Sequence, residues 1–106
     1  NVYPQMIEQA IYTIPGVHEV IVLGIPDQYR GEAAKAFIKL RPDAKPFSLE
    51  ELRTQLAGKL GKHELPAEVA FVDDLPRTPV GKLSRHELRQ QQKSSQSTKT
   101  VSGGRS

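Results

Sequence analysis

Cysteine is absent from all 106 residues, which excludes disulfide staples and thiolate chemistry and fits a reducing, cytoplasmic setting. No apolar run approaches the ~20 residues that cross a bilayer as a helix. The opening residues, NVYPQMIEQA, lack the basic stretch followed by an apolar one that marks a secretory signal. The chain opens on Asn1 rather than Met, which fits a piece excised from something longer. Acidic residues are lacking in 93–106, KSSQSTKTVSGGRS, whose low hydrophobicity predicts a disordered polar tail. Three of the 15 basic residues lie there, and the other twelve are balanced by the twelve Asp and Glu of residues 1–92. The net charge of +3 therefore belongs to the tail. A formally neutral body argues against a basic groove for nucleic acid.

What remains is enough chain for one small domain, expected over residues 1–92. Met6, Ile7, Ala10, Ile11 and Ile14 recur at helical spacing behind Pro4, and Pro15-Gly16 closes the element, so a helix is expected over about 4–13. Val20, Ile21, Val22, Leu23 and Ile25 are nearly continuous and mostly β-branched, the pattern of a strand covered on both faces. Residues 27–31 read as a turn. After them Ala34, Ala36, Ile38 and Leu40 alternate with Lys35, Phe37 and Lys39, as in a half-exposed strand pairing antiparallel with the first. Ser48 and Glu51 have capping-box spacing ahead of the stripe Leu49, Leu52, Leu56 and Leu60, which predicts the clearest helix. A short strand is expected over about 68–73. Ser84 and Glu87 repeat the capping-box spacing, with Leu83 and Leu88 at the positions of a hydrophobic staple. The order helix, strand, strand, helix, strand, helix implies a small α+β domain: a sheet of about three strands, partly antiparallel, with about three helices.

Candidate chemistry concentrates on Lys82. A lone Gly-Lys pair is commonly a solvated turn, and this is not a phosphate-binding P-loop, since no second glycine stands at the required spacing and Leu83 follows the lysine. Pro76 and Pro79 nonetheless restrict one side of the loop, Gly81 opens backbone angles closed to other residues, and the helix starting at Ser84 anchors the other side. Such a lysine can be delivered to an anionic site with little loss of entropy. His18, His63 and His86 lie far apart without the clustered spacing of metal ligands, so no metal site is expected. Asp73-Asp74 reads as a solvated turn rather than a catalytic pair. Lys35 and Lys39 read as the solvent side of their strand, with a nucleotide-contacting edge as the alternative.

The motifs, taken in order, resemble the C-terminal domain of the adenylate-forming enzymes, which include acyl-CoA synthetases, nonribosomal peptide synthetase adenylation domains and luciferases. Asn1-Val2-Tyr3-Pro4 with Ile7-Glu8 looks like the family's N-V-(Y/S)-P-x-x-(I/V)-E. Ile25-Pro26-Asp27 and Arg30-Gly31-Glu32, then Ala36-Phe37-Ile38, look like P-D-x-x-x-G-E … A-F-V. Leu65-Pro66 and the run Phe71 to Leu83, FVDDLPRTPVGKL, look like the closing motif P … F-V-D-x-L-P-R-T-x-x-G-K-(I/L). Each motif alone is weak; their order and spacing carry the resemblance, which covers residues 1 to about 90.

The resemblance implies a two-step ligase, and its closest likeness is to the fatty-acid–CoA ligases. A carboxylic acid reacts with ATP and Mg2+ to give acyl-adenylate and pyrophosphate, and CoA then displaces AMP. It also implies a large N-terminal domain, outside this chain, that carries most of the acyl and nucleotide pockets, with a hinge just before Asn1. The small domain would turn between the half-reactions. Lys82 would serve adenylation, with Gly81, Arg77 and Thr78 in its loop. Asn1, Val2, Tyr3, Gly31 and Glu32 would lie on the face used for the thioester step. The same lysine would be the target of a lysine acetyltransferase. The isolated chain is expected to be inactive. Two alternatives stay open: a peptide-synthetase adenylation domain, whose acceptor is a carrier protein, and a stand-alone interaction or nucleic-acid-binding domain.

Overall fold

The structure, a computed structural model, describes residues 2–94. Asn1 and most of the expected tail, from residue 95 on, lie outside the described residues. The chain divides into two compact units, Asn1–Leu75 and Pro76–Ser106.

The first unit carries helix α1 (Pro4–Ile11), strands β1 (Val17–Asp27) and β2 (Gly31–Leu40), helix α2 (Leu49–Leu56), a 3₁₀ turn at Lys62–Glu64 and strand β3 (Glu68–Phe71). The sheet order is β1-β2-β3. β1 and β2 form the expected antiparallel hairpin, with Val22 opposite Ala36 and Asp27 opposite Gly31. β3 joins β2 in parallel, Ala36 opposite Val69 and Ile38 opposite Phe71, so the sheet is mixed. The parallel pairing follows from the connection: α2 occupies the crossover that a parallel pair requires.

Alternation along β1 and β2 divides the apolar residues between two faces. Val20, Val22, Ala34, Ala36 and Ile38 join Ile7, Ile11, Leu52 and Leu56 in one buried core between the sheet and the helices α1 and α2. At ~25 cal/mol per Å2 of buried apolar surface, this cluster is the dominant stabilising term of the unit. Ile21, Leu23, Ala33 and Phe37, on the opposite face, are buried too. The expectation for β1 is met. The expectation that Lys35, Phe37 and Lys39 form the solvent side of β2 is corrected, since Phe37 is only 3% exposed. The two lysine side chains are themselves only 25% and 29% exposed. Lys35 lies 3.6 Å from Glu68 and 4.9 Å from the Phe37 ring centroid, and Lys39 lies 3.3 Å from Asp74.

Helix ends follow local hydrogen bonding. α1 stops at Ile11 rather than near 13, because the chain tightens: the Thr13 N–H bonds the Ala10 carbonyl and the Ile14 N–H the Ile11 carbonyl, each three residues back. The capping box of α2 is complete. Glu51 N–H donates to Ser48 Oγ at 3.0 Å, and Ser48 N–H to Glu51 Oε1 at 2.8 Å. α2 ends at Leu56, yet Leu60 still packs on the core through the turn that follows. Gly16 has φ +91°, and an added Cβ would lie 2.9 Å from that of Ala44, so both conformation and space demand glycine there.

On the outer side of β1, the Val20 N–H donates to the Tyr12 hydroxyl at 3.2 Å and the Val22 N–H to Glu8 Oε2 at 2.8 Å.

Candidate functional site

In the second unit, Arg77 and Leu83 pair as an antiparallel bridge, and the chain between them turns back on itself. Thr78 N–H donates to the Lys82 carbonyl at 2.7 Å, and Gly81 N–H to the Thr78 carbonyl at 2.9 Å. Pro79, Val80 and Gly81 thus form a three-residue hairpin loop whose last residue, Gly81 at φ +91°, is left-handed. Proline in the second place of the turn and glycine in the fourth suit it. A Cβ on Gly81 would meet nothing within 4 Å, so glycine is required by backbone conformation and not by space.

Side chains reinforce the turn. Thr78 Oγ1 accepts from the Lys82 N–H at 3.2 Å, and Arg77 Nη1 donates to the Gly81 carbonyl at 3.0 Å. The Lys82 backbone is therefore held at both its N–H and its C=O, while its side chain is exposed and has no partner among the described residues. Beyond it, Ser84 Oγ accepts from the Glu87 N–H at 3.1 Å, and a helix, α3, runs from 85 to at least 94. The expected start at Ser84 is correct. The Ser84 N–H donates to the Pro76 carbonyl at 2.9 Å, which ties the base of the hairpin to the first turn of the helix. Val80, 82% exposed, caps the loop beside the lysine. Arg77, Thr78, Gly81 and Lys82 thus come together as one rigid hairpin that presents a primary ammonium.

The other predicted residues gather in the first unit. Gly31 closes the β1–β2 hairpin at φ +80°. Asp27 opens it, its carboxylate accepting from the N–H groups of Tyr29 and Arg30 at 3.2 and 2.8 Å. Glu32 Oε1 accepts from the Val2 N–H at 3.2 Å, and Tyr3, 59% exposed, precedes α1. Asn1 lies outside the described residues. His18, His63 and His86 are all exposed, and the described residues contain no group of three metal-binding side chains. Asp74 is engaged with Lys39 and with the Leu75 N–H, in keeping with a solvated turn. One residue escaped the sequence reading: Gly24, a buried glycine within β1, lies beneath the Glu32 side chain. A glycine inside a strand pattern was the available signal for a close approach.

The family described as AMP-binding enzyme C-terminal domain matches residues 6–82, ending on Lys82. This chain is a member of that family. The C-terminal domain is 40% identical over 88 residues to a long-chain-fatty-acid–CoA ligase of Bacillus subtilis, covering 83% of this chain and 16% of that protein. It is 44% identical over 89 residues to the fatty acid–acyl-carrier-protein ligase ScoC of Streptomyces coeruleorubidus, covering 84% of this chain and 17% of that protein. An acyl-CoA synthetase crystal structure from Brucella canis superposes with a TM-score of 0.78 at 37% identity, covering 88% of this chain and 18% of that one. The C-terminal domain thus spans about one-sixth of the length of the curated relatives it matches. The α+β architecture expected from the order of helices and strands is the architecture of these neighbours.

Proposed function

We propose that residues 1–92 are the mobile C-terminal domain of a cytoplasmic, ATP-dependent acid–CoA ligase, and that Lys82 orients the substrate anions during adenylation. The observation that carries this reading is the 77–83 hairpin, which fixes the Lys82 backbone at both ends and leaves its ammonium unpaired among the described residues. In the first half-reaction a carboxylate oxygen attacks the α-phosphorus of ATP, the bond to pyrophosphate breaks, and acyl-adenylate forms. Two anions must approach, and an ammonium between them offsets their repulsion and aligns them. At 4 Å such an attraction is ~1 kcal/mol in water and ~4 kcal/mol at an effective dielectric of 20, so a closed site multiplies its value. Arginine, larger and planar, does not substitute for this compact charge. In the second half-reaction the sulfur of CoA attacks the acyl carbon and AMP leaves, forming the carbon–sulfur bond.

A fatty or related acid is the substrate class the relatives' names favour. Among the described residues no group of three metal-binding side chains stands together; in this reading Mg2+, ATP and the acid are held mainly by a large N-terminal partner domain. Acetylation of Lys82 by a lysine acetyltransferase would remove the same charge and stop the same step.

The test is Lys82→Ala in the full-length ligase, with the half-reactions measured separately. Adenylation, followed by pyrophosphate release, should fall by about 10²–10³-fold, the loss typical of one preorganised transition-state group. Thioester formation from supplied acyl-adenylate should stay near the wild-type rate. Equal losses in both would refute the role. The likeness to ScoC favours a second acceptor, a carrier-protein thiol, as an alternative to CoA. Supplying each acceptor with the same acyl-adenylate distinguishes them.

A further inference from the structure

We propose that Glu32 is a positioning residue that latches the segment leading into α1 onto the β1–β2 hairpin, using Gly24 as its cradle. The Glu32 carboxylate accepts from the Val2 N–H at 3.2 Å. To do so it crosses the core-side face of β1. Glu32 is paired with Pro26, and Gly24 is its diagonal neighbour on the same face. A Cβ on Gly24 would overlap Glu32 Oε2 and lie 2.5 Å from Glu32 Cδ. Gly24 has no positive φ, so its backbone would admit alanine; what a side chain there would displace is the flexible carboxylate end lying over it. Two independent observations, the hydrogen bond and the cradle, therefore describe one device. A charged acceptor makes the bond stronger than a neutral one would be.

This inference rests on the proposed function and on the expectation from the resemblance that the segment before α1 and the β1–β2 hairpin share the thioester-step face. If the two move as one body, the latch keeps Val2 and Tyr3 in register with Gly31 when the domain turns. Its loss would slow thioester formation and spare adenylation.

The experiment uses the full-length ligase with Glu32→Ala, Glu32→Gln, Gly24→Ala and the double variant Gly24→Ala/Glu32→Ala. Thioester formation from supplied acyl-adenylate should slow by roughly 3–10-fold in Glu32→Ala and Gly24→Ala, on the scale of one hydrogen bond, with adenylation unchanged. Glu32→Gln retains an acceptor oxygen and should restore the rate. The double variant should be no slower than Glu32→Ala, because with the carboxylate gone the new methyl group displaces nothing. Hydrogen exchange at the Val2 amide should quicken in Glu32→Ala and Gly24→Ala by a similar roughly 3–10-fold factor. This readout does not depend on catalysis. Unchanged Val2 exchange in Glu32→Ala, fully additive effects, or equal slowing of both half-reactions would overturn the latch. Should Gly24→Ala fail to fold, the exposed Glu32 variants decide alone. Lys82→Ala run in parallel separates the two ideas. If it splits the half-reactions while Glu32→Ala does not, the latch fails and the lysine role stands; if it slows both equally, the lysine role fails and the Val2 exchange still judges the latch.

Discussion

Gly81→Ala tests whether the hairpin, and not merely its lysine, is what adenylation needs. Gly81 sits at φ +91°, and an alanine Cβ there would meet nothing within 4 Å. No collision enters, so the whole effect is the backbone preference of an L-residue, ~1–2 kcal/mol against the left-handed conformation. The turn can absorb this in two ways. It can hold its shape and lose that much stability. It can relax instead, which sacrifices the Gly81 N–H bond to Thr78 and the Thr78–Lys82 pair, and the ammonium moves off line. Either way the population of the formed hairpin relative to open forms falls by about 5–30-fold. Pyrophosphate release by the full-length ligase should fall by up to that factor, with Gly81→Asn less affected because asparagine tolerates the left-handed region. Gly31→Ala is the matched control: φ is +80° and its Cβ also meets nothing, but it sits in the β1–β2 hairpin. It should leave adenylation intact. A wild-type adenylation rate in Gly81→Ala, or an equal loss in Gly31→Ala, would refute the reasoning.

Leu52→Ala removes a fully buried core side chain and should lower unfolding free energy by ~2–5 kcal/mol, read from denaturant midpoints. Ser48→Ala breaks one half of the α2 capping box and should cost ~1 kcal/mol in the same assay. Tyr12→Phe leaves the Val20 N–H without its acceptor; a loss of ~1 kcal/mol and faster exchange at the Val20 amide are expected.

Local signals in the sequence were strong wherever local physics decides. Ser48 and Ser84 mark helix starts because a hydroxyl acceptor and backbone donors lie within one turn of each other. The β1–β2 hairpin was legible from its two apolar patterns and the turn residues between them. The burial of Phe37 was not, because the lysines on either side of it give the strand the pattern of a solvent face. The parallel pairing of β3 went unread, although the helix between it and β2 supplies the crossover that a parallel pair requires. At the candidate site, the glycine and prolines around Lys82 pointed to a restricted loop, but the Arg77–Leu83 pairing and the braces from Arg77 and Thr78 depend on contacts that spacing does not encode. The Glu32–Val2 contact joins residues 30 apart and became visible only through the fold, and the glycine at position 24 inside the strand pattern went unread.

The bonds from Tyr12 and Glu8 to the outer side of β1 have a consequence for life in a crowded solution. β1 lies at the end of the sheet, where bare N–H groups would be a template for a strand from another chain. Here the donors of Val20 and Val22 are already occupied by side chains of the chain's own first helix and the residue that follows it. A polypeptide approaching that border finds no donors at those two positions. The first helix thus does more than fill the core: it keeps this margin of the sheet from growing.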